Sequence, residues 1–101
     1  MRFRGRARTG TPPAEAPPPA EPEGPPPVLV IDALGRKCPI PIIMLAERIR
    51  EVPVGQVVAV LADDAAARTD VPAWCRMKSQ DFVREETLRQ GGWGFHIRRT
   101  Y

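Results

Sequence analysis

VLVIDALGRKCPIPIIMLAERIREVPVGQVVAVLA, residues 28–62, alternates apolar runs with turn signals. Residues 28–32 and 56–62 are short, β-branched runs that are typical of buried strands. Between them, apolar side chains recur at steps of three and four residues: Ile42, Leu45, Ala46, Ile49 and Val52. This period predicts an amphipathic helix, and Pro53 and Gly55 predict its end. The stretch therefore predicts a strand, a helix and a second strand.

A second helix is predicted in DDAAARTDVPAWCRMKS, residues 63–79. Asp70 is a suitable N-cap, and Pro72 would then lie in the first turn, where a helix needs no amide donor. One face of that helix would carry Val71, Trp74, Cys75 and Lys78. We expect Cys75 to belong to the core, because a free cysteine far from a helix terminus usually packs as a small hydrophobic residue.

A closing hairpin follows, with strands at residues 82–88 and 93–99 and a glycine pair at 91–92 as the turn. In its second strand, one side would carry Trp93, Phe95 and Ile97. The element order is βαβαββ. Because crossovers between parallel strands are right-handed, both helices lie on one face of the sheet. We therefore predict an α/β (α+β) two-layer sandwich, with two helices on one face of a four-stranded mixed sheet.

Composition limits the chain to one small domain, since 101 residues with 43% hydrophobic composition build a single modest core. Nine of the 13 prolines precede Val28, in a stretch whose large apolar side chains are Met1 and Phe3. We therefore predict a disordered proline-rich tail at residues 1–27 and a domain at residues 28–101. Neither a secretory signal nor a membrane span is visible, so we expect free thiols in the cytoplasm and no membrane partner. We also expect a monomer.

Cys38 follows two cations and precedes a proline, in the turn between the first strand and the first helix. Pro39 and Pro41 fit only the first turn of a helix, so Cys38 is placed at or next to the N-cap. The helix dipole and the charges of Arg36 and Lys37 would stabilise a thiolate there and lower the thiol pKa toward neutrality. These features predict an exposed, rigidly held and activated nucleophile.

The segment around Cys38 resembles the signature of the TusA-like sulfur-carrier (sulfurtransferase) family. The positions that match in order and spacing are Asp32, Gly35, Cys38, Pro39 and Pro41. A second block, residues 63–75, is similar to the family's approach to its second helix, with these residues in register: Asp64, Asp70, Pro72 and Cys75. Ala65 departs from the pattern, because many relatives have proline there. The resemblance extends over residues 28–101.

The resemblance implies that Cys38 accepts a sulfane sulfur as a persulfide from a donor protein, such as a cysteine desulfurase, and passes it to an acceptor protein. The residues expected to support this site are Asp32, Gly35, Arg36, Lys37, Pro39 and Pro41. The family's basic ending is matched by Arg98 and Arg99, which are candidates for partner binding. No cofactor is implied. The sulfur's route stays open among RNA (tRNA) thiolation, molybdenum-cofactor maturation, sulfur oxidation and selenium handling.

Other functions stay open on the residues alone. A nucleic-acid module would need more positive charge, because residues 28–101 carry 11 basic and 9 acidic side chains. A structural zinc site needs about four ligands, and the two cysteines and one histidine of this chain are too few without carboxylates. We expect His96 to be a satisfied surface or edge residue. A redox switch would pair Cys38 with Cys75. A regulatory module, or one that binds RNA or protein, could keep this fold without sulfur transfer.

Overall fold

The computed structural model describes residues 25–101, so residues 1–24 of the predicted tail lie outside the described part. The elements follow the predicted order βαβαββ. The strands are β1 (Leu29–Asp32), β2 (Val57–Ala62), β3 (Asp81–Thr87) and β4 (Trp93–Arg98). The helices are α1 (Ile40–Arg48), which a 3-10 turn extends (Ile49–Glu51), and α2 (Ala67–Lys78).

The four strands form one sheet in the order β1-β2-β4-β3. β1 pairs parallel with β2, whereas β4 pairs antiparallel with both β2 and β3. The sheet is therefore mixed, as predicted. Because β1 and β2 run in the same direction, the turns that leave their C-terminal ends lie at the same edge of the sheet, which we call the carboxyl edge. Cys38 follows β1 and the pair Asp63 and Asp64 follows β2, so these residues are neighbours in space.

Both helices pack on one face of the sheet, which confirms the predicted two-layer sandwich. The buried strand residues of this core include Ile31, Val58, Val60, Phe95 and Ile97. The helices contribute Leu45, Ile49, Ala67, Val71, Trp74 and Cys75. Cys75 has no exposed surface, and burial raises its pKa to about 11. Its predicted place in the core is confirmed.

α2 begins earlier than predicted. Its first residue is Ala67 and its N-cap is Ala66, so Asp70 is not the N-cap and Pro72 lies inside the helix. The earlier start is stabilised by Asp64, whose Oδ1 accepts the Ala66 amide at 3.0 Å and whose carbonyl accepts the Ala67 amide at 2.9 Å. Asp64 therefore occupies the capping role that the sequence pattern assigned to Asp70.

His96 is buried, contrary to its expected place at the surface or the edge. It is 6% exposed because β4 lies between β2 and β3. Its Nε2 donates to Glu86 Oε1 at 3.2 Å, and the same oxygen accepts from Arg84 at 2.9 Å. His96 Nδ1 has no hydrogen-bond partner in the described part of the chain. Burial and, next, the positive charge of Arg84 lower the pKa of His96, while Glu86 opposes this shift.

We expect acidification to destabilise the domain through His96. An unfolded histidine titrates near pH 6.5, whereas the buried imidazole titrates lower. As the pH falls below about 6.5, the unfolded chain binds the extra proton first, so the free energy of unfolding falls until the folded pKa is passed. Urea unfolding of wild type and His96→Gln between about pH 5 and 8 measures this. The variant should lose part of the dependence, and equal pH profiles would contradict the prediction.

Candidate functional site

Cys38 lies directly before α1, which confirms its predicted place next to the N-cap. Pro39 is the N-cap and Pro41 is the second residue of the helix. Neither proline has an amide hydrogen, and the Ile40 amide donates to the Lys37 carbonyl at 2.8 Å. The start of α1 therefore offers fewer free backbone donors to an anion than an ordinary helix terminus does.

Two aspartates from the loop after β2 hold the turn that contains Cys38. Asp64 Oδ2 accepts the Cys38 amide at 3.0 Å. Both carboxylate oxygens of Asp63 accept the Gly35 amide at 3.1 Å. Their part in the turn was missed from the sequence, although one signal was present: an aspartate pair directly follows a strand that is parallel to β1. Parallel strands bring such a pair to the edge where Cys38 lies.

The other residues expected to support the site lie within the same turn. Asp32 Oδ1 accepts the Leu34 amide at 3.1 Å, which closes the chain just after β1. Gly35 has a φ of 81°, in the left-handed region that favours glycine. Arg36 and Lys37 are exposed. The structure therefore brings Asp32, Gly35, the two cations and both prolines together around Cys38.

The predicted acidification of Cys38 is wrong. Partial burial raises the pKa of its thiol, and the negative charges of Asp70 and Asp64 raise it further. Hydrogen bonds from the Cys38 and Ala66 amides lower the pKa of Asp64, and the charge of Lys37 adds a smaller effect in the same direction. Cys38 is also only half-exposed, because its side chain packs against the core.

Arg98 and Arg99 lie away from Cys38. Arg98 pairs in register with Val57, at the end of β2 opposite the carboxyl edge. Arg99 follows it, and its Nη1 donates to the Val52 carbonyl at 2.7 Å. The structure therefore does not bring these two arginines to the thiol, and Arg99 already stabilises the segment after α1.

At the carboxyl edge, Cys38 lies beside the loop that carries Asp63 and Asp64. Both cysteines of the chain are free thiols. Within residues 25–101, no three His, Cys, Asp or Glu side chains are grouped so that they could hold a metal ion. No helix in this range has the length and apolar character needed to cross a membrane.

Comparison with known proteins identifies the family of this chain. A family model described as "Sulfurtransferase TusA" matches residues 29–99, which include every strand and helix described above. The chain belongs to the TusA sulfurtransferase family. TusA-family proteins are sulfur carriers that act in relays between donor and acceptor proteins. The resemblance seen in the sequence is therefore confirmed.

A solved structure also shares the TusA-family fold of this chain. It is a SirA-like protein from Desulfitobacterium hafniense, with 27% sequence identity and a TM-score of 0.64. The similarity covers 73% of this chain and 100% of that chain. A match of this extent supports the same two-layer arrangement in both proteins.

Proposed function

We propose that Cys38 accepts a sulfane sulfur as a persulfide and passes it to an acceptor protein, with residues 28–101 as the carrier domain. The observation that carries this proposal is the position of Cys38 within the TusA family match. It is a half-exposed thiol, and its backbone amide is bound to Asp64 at 3.0 Å. A turn held in this way presents the sulfur in one position to two successive partners.

The loading step is a sulfur exchange without net oxidation. The Cys38 thiolate attacks the terminal sulfur of a persulfide on the donor protein, so a new S–S bond forms at Cys38. The S–S bond of the donor breaks, and its electron pair stays on the donor sulfur, which takes up a proton. In delivery, a thiolate of the acceptor protein attacks the outer sulfur and restores the Cys38 thiol.

The partners we propose are a cysteine desulfurase or another sulfurtransferase as donor, and a thiol protein as acceptor. Arg36 and Lys37 are exposed beside Cys38, where they would attract an acidic surface on either partner. The two free thiols support a reducing, cytoplasmic setting for the relay. Asp32, Gly35, Pro39 and Pro41 would shape the turn.

Intact-protein mass spectrometry tests this proposal. Wild type, Cys38→Ala and Cys75→Ala are incubated with cysteine and a cysteine desulfurase, and circular dichroism checks that each variant is folded. We expect wild type and Cys75→Ala to gain the mass of one sulfur atom, which a reductant removes. Cys38→Ala should gain none. Cys75→Ala is the matched control, because it removes the other thiol by the same substitution.

The proposal fails if folded wild type gains no sulfur from the desulfurase or from a small-molecule sulfane donor while Cys38 remains open to alkylation. A gain that persists in Cys38→Ala would also overturn it. The first result would favour a regulatory or interaction module that kept the fold without sulfur transfer.

A further inference from the structure

A cavity of about 270 Å³ lies at the end of the domain opposite the carboxyl edge, where both helices and β4 end. Its cationic lining residues are Arg50, Lys78 and Arg99, and we call it the basic cavity. Among the described residues that line it, none has a carboxylate side chain. The proposed sulfur transfer at Cys38 uses none of these three cations, so their grouping needs a separate explanation.

The positive charges of the basic cavity are not neutralised by the described side chains. Within residues 25–101, Arg50 and Lys78 are exposed and neither forms an ion pair. Arg99 uses Nε and Nη1 for hydrogen bonds to backbone oxygens, and its Nη2 donates to none of the described residues. A terminal carboxylate on Tyr101, whose backbone oxygen accepts from Arg99 Nε at 2.8 Å, would offset one charge and leave two. The cavity therefore attracts anions.

The backbone at the ends of the helices does not oppose an anion here. Helix C-termini usually present free carbonyl groups, which repel negative charge. In this domain, Arg99 Nη1 donates to the carbonyls of Arg50 at 3.3 Å and Val52 at 2.7 Å. The Tyr101 hydroxyl donates to the Lys78 carbonyl at 2.8 Å. These bonds cover the carbonyls, and they fix Arg99 and Tyr101 in place before any ligand binds.

The basic cavity also has an aromatic wall, formed by Trp74 and Tyr101. Trp74 belongs to the core and is 7% exposed, whereas Tyr101 is 63% exposed. The hydroxyl end of Tyr101 is held by Lys78, and much of its ring remains open to solvent. An exposed aromatic ring can stack against a planar group. The cavity therefore suits a ligand that combines a planar group with negative charge.

The donors of the basic cavity favour a phosphate over a carboxylate. Arg50, Lys78 and the Arg99 Nη2 group together offer more N–H donors than the two oxygens of a carboxylate can use. A phosphate monoester has three terminal oxygens and about two negative charges at neutral pH. The cavity volume of about 270 Å³ is at the lower end of small-molecule sites, which begin at about 300 Å³, so the ligand is small.

We propose that the basic cavity binds a small organic phosphate that carries a planar ring, for which a mononucleotide is the simplest model. Arg50, Lys78 and Arg99 bind the phosphate group, and Tyr101 packs against the ring. The site lies at the opposite end of the sheet from Cys38, so this inference does not rest on the proposed sulfur transfer. Because the ligand contacts the ends of α1, α2 and β4 together, its binding stabilises the folded domain.

Isothermal titration calorimetry of the full-length chain at low ionic strength tests this proposal. The probes are adenosine monophosphate, adenosine and inorganic phosphate. We expect adenosine monophosphate to bind once per chain and to raise the temperature of unfolding. Inorganic phosphate lacks the ring and should bind severalfold more weakly. Adenosine lacks the charge and should show no binding at the same concentrations.

Substitutions of the cations test the phosphate contacts. Arg50→Gln and Lys78→Gln should each weaken the binding of adenosine monophosphate severalfold, and the double variant should weaken it by about tenfold or more. Arg89→Gln is the matched control, because it removes one exposed positive charge from the hairpin at the carboxyl edge. Its affinity should equal that of wild type. Circular dichroism checks that each variant is folded.

A pair of substitutions at Tyr101 tests the ring contact. Tyr101→Phe and Tyr101→Leu both lose the hydroxyl, and only the second loses the ring. Adenosine monophosphate should therefore bind severalfold more weakly to Tyr101→Leu than to Tyr101→Phe, while inorganic phosphate should bind both equally.

Three results would overturn the proposal. The first is no binding of adenosine monophosphate to folded wild type at millimolar concentration. The second is an equal loss of affinity in Arg89→Gln and Lys78→Gln, which would show general attraction to a basic protein. The third is equal affinity of wild type for adenosine monophosphate and inorganic phosphate, which would leave the ring without a contact. None of these measurements needs a sulfur donor, so failure here leaves the proposed function of Cys38 untouched.

Discussion

Replacing Phe95 by alanine is expected to destabilise the domain by about 3–5 kcal/mol. Phe95 is the largest of the fully buried side chains, and it projects from β4 into the core between sheet and helices. Its removal loses apolar burial and leaves a cavity that the surrounding strands cannot close. Small domains are stable by about 5–15 kcal/mol, so the variant would approach global unfolding at moderate temperature.

Urea unfolding followed by circular dichroism measures the Phe95→Ala effect as a shift in the midpoint. Val54→Ala is the control, because Val54 is 59% exposed and its truncation should change stability by less than about 0.5 kcal/mol. A loss below about 1 kcal/mol in Phe95→Ala would contradict the described core.

Gly92→Ala should destabilise the domain by about 2 kcal/mol or more and should disturb the turn around Cys38. Gly92 has a φ of 86°, which costs an alanine about 1–2 kcal/mol. An added Cβ would also lie 2.9 Å from the Ala62 carbonyl oxygen and 3.0 Å from Asp63 Cβ. Backbone has to move to relieve these contacts, and Asp63 is the residue that binds the Gly35 amide.

Gly91→Ala separates the cost of a positive φ from the clash of an added Cβ. Gly91 also has a positive φ, 109°, but nothing lies within 4 Å of an added Cβ. The Gly91→Ala variant should therefore lose only the stability that the positive φ costs. The rate at which Cys38 is alkylated should change in Gly92→Ala and stay unchanged in Gly91→Ala. Equal losses of stability and unchanged alkylation in both variants would show that the hairpin is not coupled to the turn.

Local signals in the sequence are sufficient for the element order. Each predicted strand agrees with the structure to within one residue at either end, since turn residues and alternating apolar residues set these limits. The start of α1 follows from Pro39 and Pro41, which fit nowhere else in a helix. The motif around Cys38 lies within one turn of chain, so it could be found without any knowledge of the fold.

The direction of the Cys38 pKa shift could not be predicted from the local sequence, because the carboxylates that act on the thiol are distant in the chain. The bond from Cys38 to Asp64 spans 26 residues, and the basic neighbours in sequence, Arg36 and Lys37, suggested the opposite sign for the pKa shift. The burial of His96 likewise depends on the strand order, which a hairpin pattern alone does not define.

The interior position of β4 also determines when a newly made chain can fold. β4 is made after the other elements of the domain, yet β2 and β3 both pair with it and are not paired with each other. A nascent chain that lacks β4 has an unpaired β3, an open apolar edge on β2 and neither Phe95 nor Ile97 in its core. Folding therefore follows synthesis of the whole domain, and chaperones and proteases have access to the chain until then.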